Sequence, residues 1–199
     1  MEYRVCCLRL IRKYREPILG AASNRFHTHK RSLQASSQAT WTGKSQMETR
    51  QLGNSDLHIT RLGIGAWAIG GSGWNGSVGA QNESDSIPAI HTALDLGLNW
   101  IDTAALYGLG HSEEVVSEAL PGRGPRSYVF TKCERVWDAS GTMGACLKAA
   151  SIRKECEDSL RRLQADVIDL YQIHWPEPDH DLEEGWTELT RLKQEGKVR

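Results

Sequence analysis

The feature that most constrains this chain is a strand–helix alternation repeated four times, with a polar residue waiting at the exit of three of the strands. Strand one is expected over Arg61–Trp67, followed by a helix from about Ser84 to Leu96. That helix carries Ile87, Ile90, Ala93 and Leu94 on one face, Pro88 in its first turn and Gly97 as a stop. Strand two, Asn99–Thr103, contains Asp102; the next helix starts near Ser112, with Glu113 and Glu114 against its positive end, and stops before Pro121. Strand three, Tyr128–Lys132, ends on Lys132. A helix from about Ser151 follows, with the amphipathic stripe Ile152, Cys156, Leu160 and Leu163. Strand four, Ile168–His174, ends on His174. The last helix, Leu182–Gln194, turns Leu182, Trp186, Leu189 and Leu192 inward, with Gly196 past its end. Lys197-Val198-Arg199 reads as the opening of a fifth strand. Consecutive βα units imply a parallel sheet with right-handed crossovers, and such sheets build their sites at the C-terminal ends of strands.

Two further segments frame this repeat. Arg50-Gln51-Leu52 and Leu57–Thr60 flank Gly53-Asn54-Ser55-Asp56, whose turn chemistry predicts a hairpin. Residues 1–46 lack core periodicity and hold nine Lys or Arg against two acids, a net +7 in a chain of net charge -1. A disordered extension is expected there, with the Arg- and Ser-rich composition of a mitochondrial or plastid transit peptide as one reading and an untargeted tail as the other. The remaining body is net acidic, which argues against nucleic-acid binding. No apolar run reaches the ~18 residues of a membrane span. The five cysteines show no paired Cys/His spacing for a metal and fit reduced thiols in an intracellular compartment, organellar or cytoplasmic. Cys133 follows Lys132, whose cation would favour a thiolate; the simpler reading is a small hydrophobe at a strand end.

Gly71-Ser72-Gly73-Trp74-Asn75-Gly76 spells G-x-G-x-x-G, but no helix starts for about eight residues after it. The motif binds a pyrophosphate only at a tight strand-to-helix turn, so a long βα loop is the better reading. The strand exits carry more information. Asp102, Lys132 and His174, with Tyr107 five residues after Asp102, converge on one space if the strands are parallel. A tyrosine hydroxyl is a useful proton donor beside a cation, Lys132 can supply that cation, and Asp102 can keep a lysine charged away from water. His174 can orient a substrate oxygen. The set suits protonation of a carbonyl oxygen, and the hydride would have to come from a reduced nicotinamide.

Asp102-Thr103-Ala104 with Tyr107-Gly108, Thr131-Lys132, and Asp169-Leu170-Tyr171-Gln172-Ile173-His174-Trp175-Pro176 resemble the signature segments of the aldo-keto reductase superfamily. Leu62-Gly63-Ile64-Gly65-Ala66-Trp67 resembles its first strand and Gly110-His111-Ser112-Glu113-Glu114 its second helix start. The resemblance covers about Met47 to Arg199. It implies a (β/α)8 TIM barrel, of which this α/β chain holds the first four βα units, and NADPH/NADP+ bound without a Rossmann domain. It implies Tyr107 as general acid, Asp102 and Lys132 as its tuning pair, and His174 as the orienting group. Ala66 and Trp67, with Asp102, are implied near the nicotinamide, although members often have Thr where Ala66 stands. Trp74, Trp137 and Trp175 are candidates to line the pocket of a small-molecule carbonyl substrate.

A (β/α)8 barrel needs about 200–250 residues, and residues 47–199 supply four units. The expectation is therefore a fragment or truncated form of an NADPH-dependent reductase of aldehydes and ketones. The alternative is a non-catalytic binding subunit of the same fold, like the potassium-channel β-subunits, unable to hold cofactor by itself. The sequence is silent on oligomeric state and on which carbonyl compound is reduced.

Overall fold

The computed structural model describes residues 4–7, 47–121 and 126–199. Its centre is a five-stranded parallel sheet of β1 (Arg4–Cys7), β4 (Leu62–Gly65), β5 (Trp100–Asp102), β6 (Tyr128–Cys133) and β9 (Leu170–Ile173), in that spatial order. Strand β1 lies at one edge, parallel to β4. Arg4–Cys7 thus lies in the sheet, within the stretch expected to be a disordered extension; the rest of residues 1–46, with the targeting reading, lies outside the described residues, as do the side chains of Cys6 and Cys7. Helices α1 (Glu83–Asp95), α2 (His111–Ala119), α3 (Ala149–Leu163) and α4 (Leu182–Gln194) follow β4, β5, β6 and β9 in turn. This is the expected βα repeat. Val198 continues it, bridging Ile168 in parallel where a fifth strand was expected. Among the described residues no helix is long and apolar enough to cross a membrane.

Alternation along each strand sends side chains to two layers. The outer layer packs Ile64, Ile101, Val129 and Tyr171 against Ile90, Val115, Val116, Ile152, Cys156, Leu189 and Leu192 of the helices. The inner layer stacks Trp100 on Phe130 (ring centroids 5.2 Å), with Leu170 against them. Beneath it sits the expected hairpin, β2 (Thr49–Gln51) paired antiparallel with β3 (His58–Thr60). Its Leu57 and Ile59 join the inner layer, and Trp100 Nε1 donates to Thr60 O at 2.9 Å. Gly63 on β4 leaves room for the Trp100 indole, which any Cβ there would strike.

Boundaries moved where local chemistry differed from the expectation. Strand β4 ends at Gly65, and Trp67–Gly70 coils into a 3-10 turn. Asn82 caps α1, accepting from Ser84 N, so Pro88 falls beyond the first turn. Helix α2 starts one residue before Ser112, behind Gly110. Helix α3 starts at Ala149, which puts Ser151 inside it rather than at its N-cap. Trp186 is a larger correction: expected inward, it is 64% exposed. The inward row of α4 is Gly185, Glu188, Leu189 and Leu192, at i, i+3, i+4 and i+7. Gly185 decides this, because a Cβ there would lie 2.9 Å from Leu147 O. The helix therefore presses its glycine on Leu147 and turns the neighbouring tryptophan out. A second hairpin, β7 (Arg135–Trp137) with β8 (Met143–Ala145), follows β6 and was not anticipated.

One buried ion pair ties three elements. Glu113 of α2 is fully buried and accepts from Thr131 Oγ1 of β6 and Arg162 Nε of α3, both at 2.6 Å. A charge buried this way needs its partner, and breaking such a pair costs about 3–5 kcal/mol. Arg162→Ala is therefore expected to lower unfolding stability by about 3 kcal/mol, read as the urea midpoint; a midpoint unchanged from the parent chain would contradict the role given to this pair.

Candidate active site

The parallel register aligns Gly65 with Asp102, Asp102 with Phe130, and Lys132 with Gln172. Asp102 shares a strand face with Trp100, Lys132 with Phe130, and His174 with Leu170, by the two-residue period. Each inner-layer apolar residue thus has a polar residue above it, at the C-terminal end of its strand. Lys132 Nζ donates to Asp102 Oδ2 and to Thr103 O, both at 2.8 Å. The two side chains are only 13% and 19% exposed, so neither charge is far from its partner or well hydrated. Tyr107 closes over this pair, with Lys132 Nζ 5.1 Å from its ring centroid. The His174 ring meets Tyr107 edge-on at 5.8 Å. All four expected residues come together.

Tyr107 is placed by two glycines. It lies in the turn between β5 and α2, with its N–H donating to Ala104 O and its carbonyl accepting from Ser112 N. Gly108, at φ +68, packs directly on Gly70; a Cβ on Gly70 would lie 2.6 Å from Gly108 N. This backbone-to-backbone contact tolerates no side chain on either residue. Ala66 is fully buried at the exit of β4, its N–H on Asp102 O and its carbonyl accepting from Ser112 Oγ at 2.9 Å. Ser112 Oγ also meets Thr103 Oγ1. Trp67 beside it is 42% exposed on the same strand exit.

The electrostatics differ from the sequence argument in one respect. Lys132 was expected to ease ionisation of Tyr107. Instead burial pushes the Tyr107 phenol up to about 12, and the Asp102 carboxylate adds to the rise. The lysine charge is held by Asp102 and Thr103 O. Tyr107 is thereby kept protonated at neutral pH, the state a proton donor requires. Burial pulls His174 down to about 4, with Lys132 and Arg135 adding to the fall. The imidazole is neutral at neutral pH, with one N–H to donate and one bare nitrogen. Cys133 is a buried thiol donating to Gln172 O, and burial raises it, so the small-hydrophobe reading stands.

The tryptophans divide. Trp74 lies 6.1 Å from Tyr107 and Trp175 5.3 Å from His174, ring to ring, which makes a continuous aromatic run Trp74–Tyr107–His174–Trp175. The G-x-G-x-x-G segment is the loop that carries Trp74, and α1 starts only at Glu83. Trp137 stands apart on β7, with the Arg162 guanidinium 6.0 Å from its ring. Sequence reasoning missed Glu134 and Arg135, which follow Lys132 and reach across to Trp175. The only available signal was a charged pair interrupting an apolar strand end.

The profile of the Aldo/keto reductase family matches residues 61–199. The chain belongs to the aldo/keto reductase family. The aldo-keto reductase YhdN of Bacillus subtilis is 41% identical over 155 residues, covering 77% of this chain and 45% of that protein. The NADH-specific methylglyoxal reductase of Escherichia coli is 39% identical over 168 residues, covering 77% and 50%. The crystal structure of an aldo/keto reductase from Klebsiella pneumoniae in complex with NADP and acetate superposes with a TM-score of 0.61 at 31% identity, over 77% of this chain and 48% of that one. The chain thus spans about half the length of the curated relatives it matches. Its four βα units and hairpin are the corresponding part of a TIM-barrel aldo-keto reductase fold.

A histidine that is pulled down in the folded state takes up its proton first in the unfolded chain. Between about pH 6.5 and pH 4 the unfolded state then binds more protons, so stability falls with acidification across that window. Glu155, which burial pushes up to about 7, contributes with the opposite sign over part of the range. Comparison with His174→Gln isolates the histidine: the variant's urea midpoint is expected to fall less than the parent's from pH 6.5 to pH 4. Parallel falls would contradict the neutral, buried imidazole.

Proposed function

We propose that the chain carries the proton-donating machinery of an NADPH-dependent reductase of aldehydes and ketones. The observation that carries this reading is the Tyr107 phenol, protonated and half-buried, over the Lys132–Asp102 pair with neutral His174 at its edge. In this reading His174 donates its N–H to the carbonyl oxygen and fixes its direction. Tyr107 supplies the proton. A forming alkoxide is far more basic than a tyrosinate, so a phenol at about 12 still gives up its proton to it. Lys132 stabilises the tyrosinate left behind, and Asp102 holds Lys132 in place and charged.

The donor set fits a nicotinamide partner. Two neutral donors lie ring to ring at 5.8 Å, where both could serve one carbonyl oxygen, and no side chain in the group can carry hydride. NADPH, when bound, supplies that hydride. Trp67, at the exit of β4, would hold the nicotinamide end beside Asp102; Ala66, expected there too, is fully buried and would only back that wall. The choice of NADPH over NADH is part of the proposal, because one relative at 39% identity is named as NADH-specific. The aromatic run from Trp74 to Trp175 favours an apolar or aromatic carbonyl compound as substrate; Trp137, apart on β7, is not part of that run.

The test is aldehyde-dependent NADPH oxidation by the parent chain and by Tyr107→Phe. Loss of a positioned acid is expected to lower turnover by about 10²–10⁴-fold; equal rates would sink the proposal. Absence of NADPH binding by the parent chain would favour the non-catalytic reading instead, since that reading has the chain unable to hold cofactor by itself.

A further inference from the structure

Two residues after the catalytic lysine receive two consecutive amides of the loop that carries the histidine. His174 N donates to Cys133 O at 3.1 Å. Trp175 N donates to Glu134 Oε2, also at 3.1 Å. The first contact is backbone to backbone and independent of side-chain identity. The second needs an acceptor on a side chain of the right length.

Glu134 is an unusual place for a carboxylate. It is fully buried, and its φ of +89 is rare for a residue with a side chain. Its other oxygen, Oε1, has no hydrogen-bond partner among the described residues. Both costs need a return, since buried carboxylates and left-handed backbones persist only where surroundings enforce them. Its backbone is clamped at both ends: its N–H donates to Glu155 Oε2 at 2.8 Å, and its carbonyl accepts from Cys146 N at 2.9 Å. That clamp fixes the direction in which the carboxylate leaves. The carboxylate arrives at Trp175 N and beside Arg135, with Nε 3.3 Å from Oε2, within ion-pair range though not a directed hydrogen bond. The Arg135 guanidinium in turn lies 4.1 Å from the Trp175 ring centroid and donates to Glu177 Oε2 at 3.1 Å.

We infer that Glu134 is a positioning residue, whose carboxylate, with Arg135 stacked on Trp175, fixes the loop after β9 and so sets His174 against Tyr107 and Trp175 against His174. Its consequence for turnover rests on the reductase reading; its consequence for the placement of His174 does not. Glu134 touches neither Tyr107 nor the Lys132–Asp102 pair. Its removal therefore acts through His174 and leaves the proton donor itself in place.

The experiment uses the 199-residue chain with Glu134→Ala, Glu134→Asp and Glu134→Gln. The first readout is the NMR shift of the His174 ring protons, which the Trp175 ring displaces from 5.3 Å away. Ala, which has no acceptor, and Asp, which is one methylene too short, are expected to move these resonances toward exposed-histidine values. Gln keeps an acceptor at full length and is expected to leave them near the parent. Should Ala fail to fold, the Asp and Gln pair decides the matter alone. The second readout is turnover: Ala is expected to lower kcat about tenfold in the parent and not further in a His174→Ala background, since residues acting as a unit are non-additive. Unmoved His174 resonances in both Ala and Asp, or fully additive losses in the double variant, would overturn the inference. Failure of the reductase reading shows up separately, as equal turnover by the parent and Tyr107→Phe, with the His174 shifts still deciding the placement.

Discussion

The parallel pairing of β4, β5, β6 and β9 is the constraint on which the site depends. With that register, the two-residue period stacks each polar exit residue above an apolar one. Trp100 lies below Asp102, Phe130 below Lys132, and Leu170 below His174. A slip of one residue on β6 would turn Lys132 into the helix layer and bring Thr131 inward. The Lys132–Asp102 hydrogen bond, at 2.8 Å between poorly hydrated partners, is the signature that the register is correct. The aromatic stack beneath, closed from below by the Leu57–Ile59 hairpin, is what removes the pair from water.

Removing the pair from water sets the chemistry of its neighbours. Burial raises the Tyr107 phenol and lowers the His174 imidazole, and in both cases the nearby charges add to the effect of burial. The outcome is two neutral hydrogen-bond donors beside one compensated ion pair. This arrangement places donors where a carbonyl oxygen would gain negative charge, with little rearrangement required of the protein. The Gly70–Gly108 contact fixes the turn that carries Tyr107, and Glu134 binds the amide that follows His174.

Much of this was legible in the sequence, for identifiable reasons. The four βα units follow from helical stripes such as Ile152–Cys156–Leu163 and from the glycines that end α1 and α4. Asp102, Lys132 and His174 follow from their common place at strand exits, and Tyr107 from its position on the loop leaving the strand of Asp102. Three things were not legible. Trp186 reads as core by spacing, yet Gly185 takes the close contact with Leu147, which only the tertiary packing reveals. The sign of the Tyr107 shift follows from how deeply the phenol is buried and from the Asp102 carboxylate beside it, which residue order does not carry. Glu134 shows in the sequence only as half of a charged pair at a strand end, because its role comes from a left-handed backbone and a partner 41 residues away. The second hairpin did leave a trace: Asp138, Ser140 and Gly141 are turn residues, and Asp138 accepts from Ser140 N and Thr142 N.

The central claim is that Tyr107 stands protonated over a lysine already engaged by Asp102. Ultraviolet difference titration of the phenols tests it directly, comparing the chain with Tyr107→Phe so that one tyrosine is read by subtraction. The account predicts that Tyr107 remains neutral beyond pH 10 and ionises near pH 12, or only when the chain unfolds. Ionisation of Tyr107 below pH 9 in the folded chain would contradict it, because the lysine would then be serving the phenol rather than the carboxylate.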